Sequence, residues 1–240
     1  MIFGFTRQAF GRLMAAASLI LSSAIGADAA RYALNVADFA SLSVDNGINV
    51  EYVCKQDSAG WVTFECEPDA ASKILLSNNK SNLRIQLDID EGIPSGIPAI
   101  RVYSSALKSE SNSGDSLVVV HLINPNEKFT AKVIGNGRIE VHNLNAHKVE
   151  AKVTAGRGAV KLDGKTVEAR LFIAGTGSVD AGGLEAEEVR SSSIGPGHII
   201  CRPTKKLAVG GLSGRVYYMT EPEEISRRGM VKALPIDSLQ

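Results

Sequence analysis

The chain has 240 residues, 44% of them apolar and 5% aromatic, enough to bury one large core or two small ones. Lysine and arginine together number 26, aspartate and glutamate 26, so the formal net charge is zero. With its basic residues scattered along a balanced chain, the sequence lacks the footprint of a nucleic-acid binder, and nucleic acid is set aside as a partner.

The chain opens with Arg7 and Arg12, an apolar run over residues 13–26, and Ala27-Asp28-Ala29, the layout of a secretory signal peptide over residues 1–29. That run is shorter than the roughly 20 residues a spanning helix needs. The mature chain is expected to begin near Ala30, to carry 24 basic against 25 acidic residues, a charge of −1, and to be exported to the periplasm, the cell surface or the medium. No cysteine lies beside the cleavage site for lipid attachment, the first being Cys54.

After the signal, Ile48, Val50, Tyr52 and Cys54 fall at alternate positions, and so do Val62, Phe64 and Cys66 beyond the turn-forming "DSAG". The two runs predict a hairpin with both cysteines on one side. Export permits a disulfide, so a Cys54–Cys66 bridge is expected, with Cys201 as a free core thiol. The alternative is two small buried hydrophobes that never bridge. Next come a short helix or irregular stretch from Asp69, a strand over residues 83–87, and a loop over residues 91–98, "EGIPSGIP".

A phrase then repeats: "GNGRIEV", "GRGAVKL", "GTGSVDA", "GPGHIIC". Aligned on Gly137, Gly158, Gly177, Gly197 and Gly214, the spacings are 21, 19, 20 and 17 residues. Two positions on stand Ile139, Val160, Val179, Ile199 and Val216, a β-branched column that reads as strand with one buried face. One such repeat cannot close a core alone; stacked coils can, with glycines at the corner of each. The sequence therefore predicts an all-β parallel β-helix, a β-solenoid with coils of about 20 residues. "SESNSGDS" over residues 109–116 reads as a degenerate first corner around Gly114, and "TEPEEISRRGM" reads as a cap over the last coil. The expected layout is a single domain over residues 30–240: an N-terminal part over 33–108, glycine-corner coils over 109–218, and a cap over 219–240.

The same phrases set aside several chemistries. None completes the dinucleotide motif G-x-G-x-x-G, since Glu140 and Asp180 stand where a third glycine belongs. "GTGSVDAGG" has glycines of a calcium nonapeptide but recurs every twenty residues rather than nine. Asp180 is explained by an outward charge ladder with Lys161 and Glu140. His142 and His147 lack a third ligand nearby, His121 and His198 stand apart, and no metal or cofactor is expected. Polysaccharide cleavage needs convergent acids, and the near candidates Arg138, Glu140, Arg157, Lys161 and Asp180 alternate in sign instead.

"SVDNGINVEYV", the glycine-corner coils and the closing "GRVYYMTEP" together resemble the bacterial head GIN domain family of auto-transporter adhesins. The resemblance covers roughly residues 33–234 and is most specific at Gly47-Ile48-Asn49 and in the corner series. It implies a right-handed β-solenoid, secreted or envelope-associated, with a role in adhesion and no catalytic residues to carry over. Met219 departs from the family's closing motif, and Arg227-Arg228 stand where a last G-x-G belongs. The expected function is a non-catalytic adhesin or binding module that contacts a glycan or an envelope protein through an outer solenoid face. The alternatives are a polysaccharide lyase or hydrolase on the same fold, and a scaffold joined through its open coil ends.

Overall fold

The computed structural model describes residues 29–90, 96–122 and 124–238, so the signal-peptide reading lies outside the described residues apart from Ala29. Strand accounts for 64% and helix for 5%. The first half holds β1 (Ala30–Asn35), β2 (Ser41–Val44), β3 (Val50–Cys54), β4 (Trp61–Cys66), α1 (Pro68–Ser72), β5 (Ile74–Asn79), β6 (Asn82–Leu87) and β7 (Ile100–Ser104). The second holds β8 (Ser109–Asn112), β9 (Leu117–His121), β10 (Asn126–Val133), β11 (Arg138–Val153), β12 (Ala159–Ile173), β13 (Ser178–Ser193), β14 (His198–Gly211), β15 (Arg215–Tyr218), β16 (Glu224–Gly229) and β17 (Lys232–Pro235).

These strands wind into a parallel β-solenoid with two broad faces. Face A collects the stretches that follow each glycine corner, in the order β7–β3–β9–β11–β12–β13–β14–β15–β17. Face B collects those that precede it, in the order β6–β2–β8–β10–β11–β12–β13–β14–β16. The long strands β11 to β14 serve both faces, crossing from A to B at a register shift.

The predicted column forms. Ile139, Val160, Val179, Ile199 and Val216 are stacked in register and no more than 1% exposed. It extends through Val118, Val50 and Ile100 at one end and Ala233 at the other. Each fully buried valine or isoleucine contributes about 1.5–3 kcal/mol, which is how coils too thin to fold alone are held.

The corners are set by close backbone approach. A Cβ on Gly177 would lie 2.0 Å from the Gly158 carbonyl oxygen, and one on Gly195 would lie 2.2 Å from that of Gly175. Gly114 belongs to the same stack, since its Cβ would meet the Gly47 nitrogen at 2.4 Å. Gly47 is a different case: a Cβ there meets nothing within 4 Å, but its φ of +82°, after Asn46 at +62°, needs the left-handed region.

Spatial order departs from chain order at that motif. The β2–β3 coil lies between β6–β7 and β8–β9, and Asn49 ties both neighbours to it. Its side-chain oxygen accepts the Leu117 N–H and its carbonyl accepts the Ile100 N–H, each at 2.9 Å. Beyond the β6–β7 coil the strands turn antiparallel, with β5 on β6, β4 on β7 and β1 on β4 closing this end. The helix after Glu67 and the strand over residues 83–87 occur as expected, while β5 was not anticipated.

Three expectations need correcting. β3 and β4 do not form a hairpin, because β7 lies between them, parallel to β3 and antiparallel to β4. Cys54 stands opposite Ser104 of β7, and an intervening strand keeps it about 9.6 Å or more from β4, beyond the roughly 7 Å a disulfide tolerates. The expected Cys54–Cys66 bridge is therefore not formed, and Cys54, Cys66 and Cys201 are all free and buried. The "TEPEEISRRGM" segment, read as a cap, instead continues the solenoid: β16 pairs in parallel with β14, and β17 with β15.

Gly177→Ala should cost about 3 kcal/mol by forcing neighbouring coils apart, and Gly47→Ala about 1–2 kcal/mol through left-handed strain alone. Urea unfolding of the two variants checks the difference. Thiol counting on unreduced protein should find none reactive in the native state and three in denaturant.

Candidate binding surface

On face B every second residue points outward, giving parallel columns that run across the coils. One column is Lys128, Lys148, Glu168, Glu188, Lys206 and Glu224; the next is Thr130, Glu150, Arg170, Arg190, Ala208 and Ser226. A third carries Lys132, Lys152, Phe172, Ser192, Gly210 and Arg228. Glu150 is reached by Lys152 at 2.9 Å, Lys128 at 3.0 Å and Lys148 at 3.9 Å. Glu168 is reached by Arg170 at 2.8 Å, Arg190 at 3.7 Å and Lys148 at 3.8 Å. Hydrogen bonds from Lys152 and then Lys128 bring the Glu150 carboxyl down to about 2, and a bond from Arg170 lowers that of Glu168. Beside this network lies an open depression of about 310 Å³, lined by Glu150, Lys152, Arg170, Phe172, Arg190 and Ser192 among others.

The residues singled out in the sequence lie on face A and at the corners. Glu140, Lys161 and Asp180 do fall in one column. They form no ladder of ion pairs, however. Glu140 faces Arg138 at 3.7 Å, Asp180 accepts the Gly182 N–H at 3.0 Å, and among the described residues no acid comes within 4 Å of Lys161. The charge ladder is on face B instead. Its signal was in the sequence as "KVEAK", "EAR" and "EVR", which place Glu150, Arg170 and Arg190 at the same twenty-residue period.

His142 pairs with Asp163 at 2.6 Å and stacks on His121 of the neighbouring coil, ring centroids 5.3 Å apart, rather than joining His147. His121 in turn lies 3.7 Å from Glu51. Among the described residues no group of three or more His, Cys, Asp or Glu side chains is placed to hold a metal.

One interior residue breaks the apolar pattern. Glu110 of β8 is 1% exposed, stands between Leu42 and Ala131 of adjacent coils, and has no hydrogen-bond partner for either carboxylate oxygen. Burial pushes its pKa well above the usual carboxylate range, favouring the neutral acid.

Two faces of parallel strands closed at glycine corners define the class: a β-solenoid built from stacked coils. More particularly, the chain belongs to the family described as "Putative auto-transporter adhesin, head GIN domain", whose profile matches residues 38–222. Among solved structures, a "putative adhesin" from Bacteroides fragilis has 23% identity and a TM-score of 0.76, covering 86% of this chain and 96% of that one. A "putative lipid binding protein" from Parabacteroides distasonis has 16% identity and a TM-score of 0.67 over the same shares. A "putative adhesin" from the same species has 18% identity and a TM-score of 0.68, covering 85% of this chain and 95% of that one. At these identities the likeness establishes the fold. No curated protein matches the chain in sequence.

The two glutamates act on stability in opposite senses. Glu150, lowered in the folded state, stabilises above the unfolded carboxyl pKa of about 4.3, and that contribution is lost as pH falls toward about 2. Glu110, raised, is best tolerated below about 4.3, and stability is lost as pH climbs above it. In urea unfolding across pH, Glu150→Gln should be about 1 kcal/mol less stable at pH 7, with the deficit closing toward pH 2. Glu110→Gln should remove the decline that sets in above pH about 4.3.

Proposed function

We propose that the protein is a non-catalytic adhesin or binding module of the bacterial envelope, exported by the segment over residues 1–29, with face B as its contact surface. The observation that carries this reading is the state of the face B carboxylates. Glu150 and Glu168 are each reached by three cations and have their pKa values lowered. A glycosidase acid must be raised toward neutrality so that it holds a proton to give. Charges neutralised in place suit recognition, where rigid, already oriented donors meet a partner at little entropic cost. The names carried by the family and by the structural neighbours, adhesins and a lipid-binding protein, support binding over catalysis. No helix among the described residues is long and apolar enough to cross a membrane.

A glycan array probed with residues 30–240, run beside a cleavage screen on uronate polysaccharides, tests the reading. Saturable binding to one glycan class is expected, weakened about tenfold or more by Arg170→Glu with Arg190→Glu, with no cleavage product. Product formation abolished by Glu150→Gln would replace the reading with an enzyme.

A further inference from the structure

The outermost column of face B, at the glycine corner itself, carries large apolar side chains at four of its six positions. Ile134, Thr154, Ala174, Ile194, Leu212 and Met230 follow one another, each donating its N–H to the coil before it. Ile134 is 37% exposed, Ile194 54%, Leu212 66% and Met230 75%, four of the large apolar side chains that the fold leaves in solvent. At one residue per strand spacing the ridge runs about 24 Å.

The charged residues within this edge are all basic, although two of them, Arg138 and Lys152, are paired with Glu140 and Glu150 just beyond it. On its face B side stand Lys132, Lys152 and Arg228; across the corner stand Arg157 and, opening face A, Arg138, Arg215 and Lys232. The stretches that carry the ridge, residues 132–138, 152–159, 172–178, 192–198, 210–215 and 228–232, contain no aspartate or glutamate, whereas the corner before them, residues 112–117, carries Asp115. Among the described residues, no acid lies within 4 Å of the cationic groups of Lys132, Arg157, Arg215, Arg228 and Lys232, whereas the cations of the inner columns are mostly committed to glutamates. Phe172 lies half-buried between Lys152 and Ser192 on the same flank.

We propose that this glycine-corner edge is a docking surface for an anionic lipid bilayer, with the ridge entering the headgroup region and the flanking lysines and arginines meeting lipid phosphates. The shape favours a surface over an enclosed ligand. The exposed apolar side chains stand along one edge of the stacked coils, where a plane can meet several of them at once, while the depression of face B reaches only Lys152, Phe172 and Ser192 of the flank. The pairing of exposed apolar side chains with flexible cations is what interfacial attachment requires, the first contributing buried area and the second attraction to anionic lipid. A soluble polyanion would use the cations alone and leave the ridge uncovered. The inference rests on the protein being exported to the envelope, where such a surface is within reach, and it is independent of glycan recognition by face B.

Co-sedimentation of residues 30–240 with vesicles tests it, using equal parts phosphatidylcholine and phosphatidylglycerol against phosphatidylcholine alone. Binding to the anionic vesicles is expected, falling as salt rises. The combined change Arg215→Glu, Arg228→Glu and Lys232→Glu should weaken it about tenfold or more, and Leu212→Ser with Met230→Ser should weaken it severalfold. All five positions are exposed, so unfolding midpoints should stay in place, and the emission of a Met230→Trp variant should shift to the blue on anionic vesicles. Failure to sediment with anionic vesicles at low salt overturns the proposal. So does heparin binding of equal strength that ignores Leu212→Ser with Met230→Ser, which would make the edge a soluble-polyanion site. A dimer in sedimentation velocity that the same two changes dissociate would make it an interface between copies. Vesicle binding with an empty glycan array would sink the face B reading and leave this one standing; the reverse result would do the opposite.

Discussion

At the glycine corners of successive coils backbone lies directly against backbone, and the rest of the solenoid depends on that contact. A parallel ladder sets coils about 4.8 Å apart, and where the chain also turns sharply there is no room for a side chain on the inner side. Gly177 against Gly158 and Gly195 against Gly175 show how little space remains. With the corner fixed, the residues after it must run as strand, and alternation sends Ile139, Val160, Val179, Ile199 and Val216 to the same depth. The hydrophobic column supplies the energy; the glycines decide that it is a column. The same constraint registers the outer surface, because a coil fixed at its corner places its second, fourth and sixth outward residues against those of its neighbours.

Glu110 marks where this regularity loosens. It sits in β8, on the short coil between the β2–β3 coil and the full-length ones, with a small residue, Ala131, on the neighbouring strand. The next inward residue, Asn112, is also polar, but it is fully used: its side chain donates to the Ser116 carbonyl at 2.8 Å and accepts the Gly114 N–H at 3.0 Å. Asn112 therefore holds the first corner in a way Glu110 does not hold anything. A buried acid without partners costs stability, and the apolar columns on both sides are extensive enough to carry that cost.

The solenoid was legible because its cause is local and repeated. A glycine at a period near twenty residues and a β-branched residue two places later appear in five successive coils, so five independent copies point to one answer. The N-terminal half carries no such redundancy. Its β2–β3 coil inserts between strands that come later in the chain, and alternation within Ile48–Cys54 and Val62–Cys66 says which side each residue faces but not which strand lies beside it. That missing pairing information is why β3 and β4 read as a hairpin and why their cysteines read as a bridge. The motif Gly47-Ile48-Asn49 was recognisable as a signature; its physical task, joining the coil before and the coil after through Asn49, exists only once the strands are placed.

Charge misled for a related reason. Read along the chain, lysine and arginine look evenly spread and balanced by acids, because successive members of one surface column are some twenty residues apart. Winding sorts them. Glutamates at 150, 168 and 188 fall among the cations of the inner columns of face B and neutralise them, while the corner stretches from residue 132 onward keep only basic residues, unlike the earlier corners with Asp45 and Asp115. A net charge of zero therefore describes neither surface. In a repeat protein, electrostatics has to be read down the columns, at the period of the coil, since only there do like charges become neighbours and a scattered sequence become a one-signed edge.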